Sequence, residues 1–328
     1  MLAGLDAATT PAEYSDFLQV SEINYNPSNP TAAEVAAGVT DNDAFEFIEL
    51  YNSSNSISLD LNSVRFTTGI TFNFTGSSVT SLGPGDYALV VKDQNAFEVR
   101  YGAGQNGIIA GVYVGSLKNS GENLVLINPS GGEIQNFTYN DSHPWPVAAD
   151  GYGFTLNLID PDSDPKHSKG ENWTSNGPAN GSPGAANVPT GPEIVINEIL
   201  SHTDPPQVDQ IELFNPTGSS VNVAGWFLSD DVAVPQKFRI PAGSVIPANG
   251  YLVLFEDNDG DDATPPPSDY FGSAFSLSSL GEDLYLQAGD GTNLTGYGNS
   301  VRFRAQFNSE ANGRFPNRSS PAPTSPEP

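Results

Sequence analysis

The feature that most constrains this chain is a stretch that is written twice. Asp43-Ala-Phe-Glu-Phe-Ile-Glu-Leu-Tyr-Asn52 returns as Asp209-Gln-Ile-Glu-Leu-Phe-Asn215, with Glu49 and Asn52 answering to Glu212 and Asn215 at an offset of 163 residues. Upstream, Ser21-Glu22-Ile23 matches Asn197-Glu198-Ile199. Downstream, Asp86-Tyr-Ala-Leu-Val90 matches Gly250-Tyr-Leu-Val-Leu254 at an offset of 164, and Ser120-Gly-Glu-Asn-Leu124 matches Leu280-Gly-Glu-Asp-Leu284 at 160. Blocks kept in order at nearly constant spacing define one unit used twice. So long a period means tandem domains and not a solenoid, whose repeats run to roughly 20–50 residues. The 328-residue length agrees with two domains.

Inside each copy the spacing is that of short strands. In the first copy, runs such as Phe45–Tyr51, Tyr87–Lys92, Leu124–Asn128 and Glu133–Thr138 recur about every 8–12 residues. In the second copy the clearest are Gly225–Leu228, Lys237–Ile240, Tyr251–Phe255 and Asp283–Gln287, with one more expected within Asn299–Phe307. The 33 glycines and 27 prolines supply the turns. No long amphipathic helix interrupts the pattern, which therefore predicts an all-β fold, a sandwich or barrel in each copy. The expected domains are residues 18–188 and 189–319. They are joined by a Gly/Pro-rich linker across Asn176–Pro192, preceded by a leader (1–17) and followed by a disordered Pro-rich tail (320–328). Thr31 to Asp43 is an insertion peculiar to the first copy, with a helical turn expected at Ala32–Ala37.

The net charge of −27 is shared as −15 over residues 1–188 and −12 over the rest. Such a surface repels phosphate backbones and anionic lipid, so neither nucleic acid nor membrane insertion is expected. There is no cysteine, hence no disulfide, thiolate metal site or cysteine nucleophile. The first residues lack the basic and apolar regions of a signal peptide. The abrupt start and the Pro-rich end are read as a piece of a longer exported chain, giving a secreted or cell-surface location. The partners expected are other domains of that parent protein, a surface protein or a polysaccharide.

Candidate sites are few. Asp257, Asp259, Asp261 and Asp262 alternate in a Gly-containing loop that could offer the hard oxygens calcium takes. The glycine and the final residue fall in the wrong places for a helix–loop–helix calcium loop, however. Asp160, Asp162 and Asp164 alternate similarly between two prolines, and Lys166 opposes a cation there. Calcium is the cofactor these loops would take. The repeated Glu22/Glu198 and Glu49/Glu212 have the residue type for paired-carboxylate acid–base work. Their recurrence in both copies points instead to a structural task, such as accepting backbone N–H bonds. A glycan platform would draw on Tyr101, Tyr113, Tyr139, Trp145 and Trp173, and on Tyr270, Phe271 and Tyr297 in the second copy. No nucleophile elbow, phosphate loop or zinc-binding His-Glu-x-x-His segment is present.

Taken together, Ser/Asn-Glu-Ile, Ile-Glu-Leu-Tyr/Phe-Asn, Gly225-Trp-Phe-Leu-Ser-Asp230, Pro247-Ala-Asn-Gly-Tyr-Leu-Val253 and Ser279-Leu-Gly-Glu-Asp-Leu284 resemble the bacterial lamin-tail domain family. Ser182-Pro-Gly-Ala-Ala-Asn187 looks like the end of such a domain. The first copy departs at Val64-Arg-Phe66, where the second has Gly-Trp. The resemblance implies two tandem immunoglobulin-like β-sandwiches without catalytic residues, of the kind carried as accessory modules in large exported proteins. The expected function is thus a non-catalytic structural or interaction module stabilised by calcium. The alternative is a carbohydrate-binding module that brings an attached enzyme to polysaccharide.

Overall fold

The computed structural model describes residues 9–257 and 270–313. The chain is all-β, in two compact units. The first comprises the residues up to Asp141 together with Ala149–Val188, and the second comprises Ser142–Ala148 and the residues from Pro189 onward.

The first unit has twelve strands among its described residues. They are β1 (Leu18–Asn24), β2 (Phe47–Asn52), β3 (Leu59–Asp60), β4 (Arg65–Thr68), β5 (Phe72–Asn73) and β6 (Ser81–Leu82), followed by β7 (Tyr87–Val91), β8 (Ile109–Val112), β9 (Asn123–Ile127), β10 (Glu133–Thr138), β11 (Leu156–Leu158) and β12 (Trp173–Thr174). One sheet has the order β12-β11-β1-β2-β7-β8, the other β10-β9-β4-β5, and β3 pairs with β6. All pairings are antiparallel except β7 with β8. Neighbouring side chains on β2 point to opposite faces. Ile48 and Leu50 are fully buried, while Phe47 packs with Leu89, Val91, Phe97 and Ile109 on the other face. Each such side chain contributes roughly 1.5–3 kcal/mol on burial.

The second unit repeats the plan. It has β13 (Val195–Leu200), β14 (Gln210–Phe214), β15 (Val221–Asn222), β16 (Phe227–Ser229) and β17 (Phe238–Arg239). Then come β18 (Val245–Ile246), β19 (Tyr251–Phe255), β20 (Asp283–Gly289), β21 (Leu294–Arg302) and β22 (Asn312–Gly313). Its sheets run β19-β14-β13-β22 and β17-β16-β20-β21, with β15 paired to β18. Trp226, Leu228, Phe238, Leu284 and Leu286 meet Ile211, Leu213 and Leu254 in one core between the two sheets. The strand expected within Asn299–Phe307 begins earlier and ends at Arg302, because its register is set by β20 from Leu294 on.

Three helices decorate the first unit. α1 (Pro11–Phe17) lies in the stretch read as a leader; it is closed by the Thr10/Glu13 capping box and docked by Tyr14, whose hydroxyl donates to the Asp60 carbonyl. α2 (Ala32–Ala36) forms where the insertion suggested a turn, capped by Thr31 and Glu34. α3 (Gln94–Tyr101) is capped by Asp93 and buries Phe97 against β2. Arg100 of α3 holds Glu34 of α2 at 2.8 Å with its guanidinium over the Phe45 ring, so the two helices are pinned together.

Candidate functional site

The repeated carboxylates sit side by side. Glu22 of β1 is in register with Glu49 of β2, and both are 1% exposed. Each acceptor is turned to the chain itself. Glu22 Oε1 accepts from Thr155 Oγ1 at 2.5 Å and from the Ser182 N–H at 3.1 Å. Glu49 Oε1 accepts from Ser21 Oγ at 2.7 Å, and Oε2 from the Gly184 N–H at 2.5 Å. The Ser182-Pro-Gly184 turn of segment 178–187 thus sits on the pair. A side chain at Gly181 would collide with Glu22 Oε1, and one at Gly184 would meet Gln105 and Ile108, with φ positive at both.

Burial pushes Glu22 up to about 7, against the pull of the Thr155 and Ser182 hydrogen bonds. Glu49 is raised well above the usual carboxylate range, first by burial and then by the charge of Glu22. Buried side by side, the two carboxyls oppose each other's ionisation. Catalysis would need a substrate to reach them, and their acceptors are already taken by Ser21, Thr155, Ser182 and Gly184. The pair is a structural latch. Glu46 is a further buried carboxyl, accepting from Tyr113 Oη at 2.5 Å and the Leu117 N–H at 3.0 Å; burial pushes it up to about 7.

The last residue of the repeated motif is a clamp in both copies. Asn52 Nδ2 reaches the carbonyls of Ile57, Leu82 and Gly83 at 2.8–3.0 Å, and its Oδ1 accepts the Ser54 N–H. Asn215 Nδ2 reaches Ser219, Ile246 and Pro247 at 2.8–3.1 Å, and its Oδ1 accepts the Thr217 N–H. Both asparagines are fully buried.

The second copy keeps the carboxylate pair in the same register, Glu198 with Glu212. Asn197 takes the place of Ser21 and donates from Nδ2 to Glu212 Oε1 at 2.7 Å. Its Oδ1 is buried without a hydrogen-bond partner, and Glu198 is exposed. Among the described residues, no segment covers this second pair as 178–187 covers the first.

Of the acidic loops, Asp259, Asp261 and Asp262 lie outside the described residues, and Asp257 follows β19. Asp160 and Asp164 flank a short 3-10 turn in left-handed conformation. Asp162 accepts from Tyr51 Oη at 3.0 Å and Asp164 from Gln19 Nε2 at 3.2 Å, so these two carboxylates fasten the turn to β1 and β2. Among the described residues no group of three or more His, Asp or Glu side chains is placed to hold a metal ion.

The aromatic platform does not form from the rings expected to build it. Tyr113, Tyr139, Trp145, Trp173, Phe271 and Tyr297 are buried. Tyr101 is half-buried, its hydroxyl donating to the Asn180 carbonyl at 2.8 Å. Tyr270 is likewise half-buried. These rings serve the cores because a short-stranded sandwich needs large side chains to fill it. His167 is also a core residue. It receives the Val20 N–H at 3.2 Å beside Phe137 and Trp173, and burial pulls it down to about 4, so it is neutral. A cross-strand ring pair that spacing alone did not reveal recurs in both copies. Tyr51 stacks on Tyr87 at 4.8 Å, and Phe214 on Tyr251 at 4.9 Å.

Two sandwiches of one plan, each with a carboxylate pair on its central strands and an asparagine clamp, define a tandem immunoglobulin-like module. The family model of the lamin tail domain matches residues 11–141 and 187–307, more than half of the chain. The chain belongs to the lamin tail domain family. Comparison with curated proteins and with solved structures returned no significant match. Among the described residues no helix is long and apolar enough to cross a membrane.

Proposed function

We propose that this chain is a non-catalytic structural and interaction module of a larger secreted or cell-surface bacterial protein, stabilised by calcium. The observation that carries the reading is the state of Glu22 and Glu49. The residues best suited to acid–base chemistry are spent on holding segment 178–187 to the sheet. The burial of the candidate sugar-stacking rings supports the same reading. Family membership supports an interaction role and leaves the partner open.

The test is affinity electrophoresis of the full chain through gels containing soluble polysaccharides, once with calcium and once with a chelator. The expected result is unchanged migration on every polymer, together with a higher melting temperature in calcium than in chelator. Retardation on one polymer would replace this reading with delivery of an enzyme to polysaccharide. Release of reducing ends from any polymer would overturn the non-catalytic reading.

A further inference from the structure

Asparagine followed by glycine is the dipeptide most prone to spontaneous modification, because no Cβ shields the glycine nitrogen from the asparagine carboxamide. The chain has five such pairs: Asn106-Gly107, Asn176-Gly177, Asn180-Gly181, Asn249-Gly250 and Asn312-Gly313. Ring closure needs a nitrogen free to turn and a carboxamide free to meet it, and the fold denies this to four of them. Asn176 is fully buried. Asn180 Oδ1 accepts from Ser28 Oγ at 3.4 Å, and the Gly181 N–H donates to the Pro178 carbonyl at 3.0 Å. The Gly250 N–H donates to the Pro247 carbonyl at 2.9 Å. Asn312 and Gly313 form β22, paired with Ile199 and Glu198 of β13. Asn106 and Gly107 stand apart. Both are exposed in the connection from α3 to β8, and a Cβ on Gly107 would meet nothing within 4 Å. Neither the Asn106 carboxamide nor the Gly107 N–H makes a hydrogen bond among the described residues.

We propose that Asn106-Gly107 is the site at which this chain modifies itself, and that conversion there loosens the cover over the first carboxylate pair. The Gly107 nitrogen attacks Asn106 Cγ and closes a succinimide ring. The Cγ–Nδ2 bond breaks, and the amide proton leaves with the nitrogen as ammonia. Water then opens the ring at either carbonyl. One opening gives aspartate; the other gives isoaspartate, in which the main chain runs through the β-carbon. Both products add a negative charge, and isoaspartate also adds one backbone methylene between Gln105 and Ile108. Those two side chains are the ones a Cβ on Gly184 would meet, and the Gly184 N–H holds Glu49. The Ile108 carbonyl in turn accepts the Leu89 N–H of β7 at 2.8 Å. A connection lengthened by one methylene displaces these contacts.

The test holds the full chain in mildly alkaline buffer and follows each Asn-Gly peptide by mass spectrometry, with isoaspartate told from aspartate by electron-transfer fragmentation. Asn106 is expected to convert well before the other four. Its lead is expected to vanish in urea, where all five pairs are equally free. Conversion of another pair as early as Asn106 in the folded chain, no conversion at Asn106, or a lead that survives urea overturns the choice of site. The isoaspartate form, separated by chromatography, is expected to melt at a lower temperature than the parent. Asn106→Asp adds the charge without the methylene and is expected to melt close to the parent. An isoaspartate form that melts no lower than Asn106→Asp overturns the loosening.

Discussion

Each of the two repeated motif residues does one physical task. Asn52 and Asn215 each gather three carbonyls and one N–H from the turns and strand ends around them. Asn215→Ala is expected to lower the stability of the second unit by about 2–3 kcal/mol, since buried carbonyls lose their donor; urea denaturation checks it. Glu22, Glu46 and Glu49 have folded-state values raised above the ordinary carboxylate. The folded state therefore holds their protons more tightly than the unfolded chain does. The contribution of Glu22 and Glu46 is complete below about 4.5 and is lost as pH rises through about 7; that of Glu49 is lost in the same direction. Glu49→Gln is expected to flatten this fall and to make the first unit more stable than the parent on the alkaline side; thermal melts across pH would show it. Parallel curves would mean that Glu49 does not contribute to this fall. The motif was legible in the sequence, and so was its structural character. Its partners were not, because Thr155, Ser182 and Gly184 lie more than a hundred residues from the glutamates they touch.

At the scale of elements, strand spacing and pairing were readable from alternation and turn residues. Tyr251–Phe255 and Glu133–Thr138 lie where the pattern put them. The helix α3 was not readable. Its buried side is only Ala96 and Phe97, too short a stripe to compete with the surrounding strand pattern, and the one available sign was Asp93 as a cap. What fixes α3 is tertiary, through Arg100 on Glu34 and Phe45. Arg100 holds Glu34 down to about 2, so this contribution is present above about 4.5 and is lost as the pH falls toward about 2. Glu34→Gln leaves the Arg100 guanidinium, 3% exposed, without its counter-charge. The expected loss at neutral pH is about 3 kcal/mol, measured by chemical denaturation. A loss below about 0.5 kcal/mol would show that the pair is spectator to α2–α3 docking.

For the molecule as a whole, the property that outweighs the others is the charge of −27. Self-repulsion of this size works against compactness and is relieved by screening. The melting temperature is expected to rise with sodium chloride through the first few hundred millimolar. A further rise with millimolar calcium that equal magnesium does not reproduce would mark specific sites and not screening. An identical response to the two ions would remove calcium from the account. The tandem plan was legible because duplication prints itself on the sequence. The cover that Ser182 and Gly184 lay on the first carboxylate pair was not, since Glu22 and Glu198 sit in nearly the same words.

The first unit's large sheet ends on one side in β12, two residues long, and on the other in β8, four residues with Gly111 among them. Sheets recruit one another through long, flat, unpaired edges, and these offer too few groups to start a ladder. Like charge on every copy adds a standing repulsion at short range. Copies that meet along this sheet would therefore stay separate particles, since neither of its edges is long enough to seed a fibre.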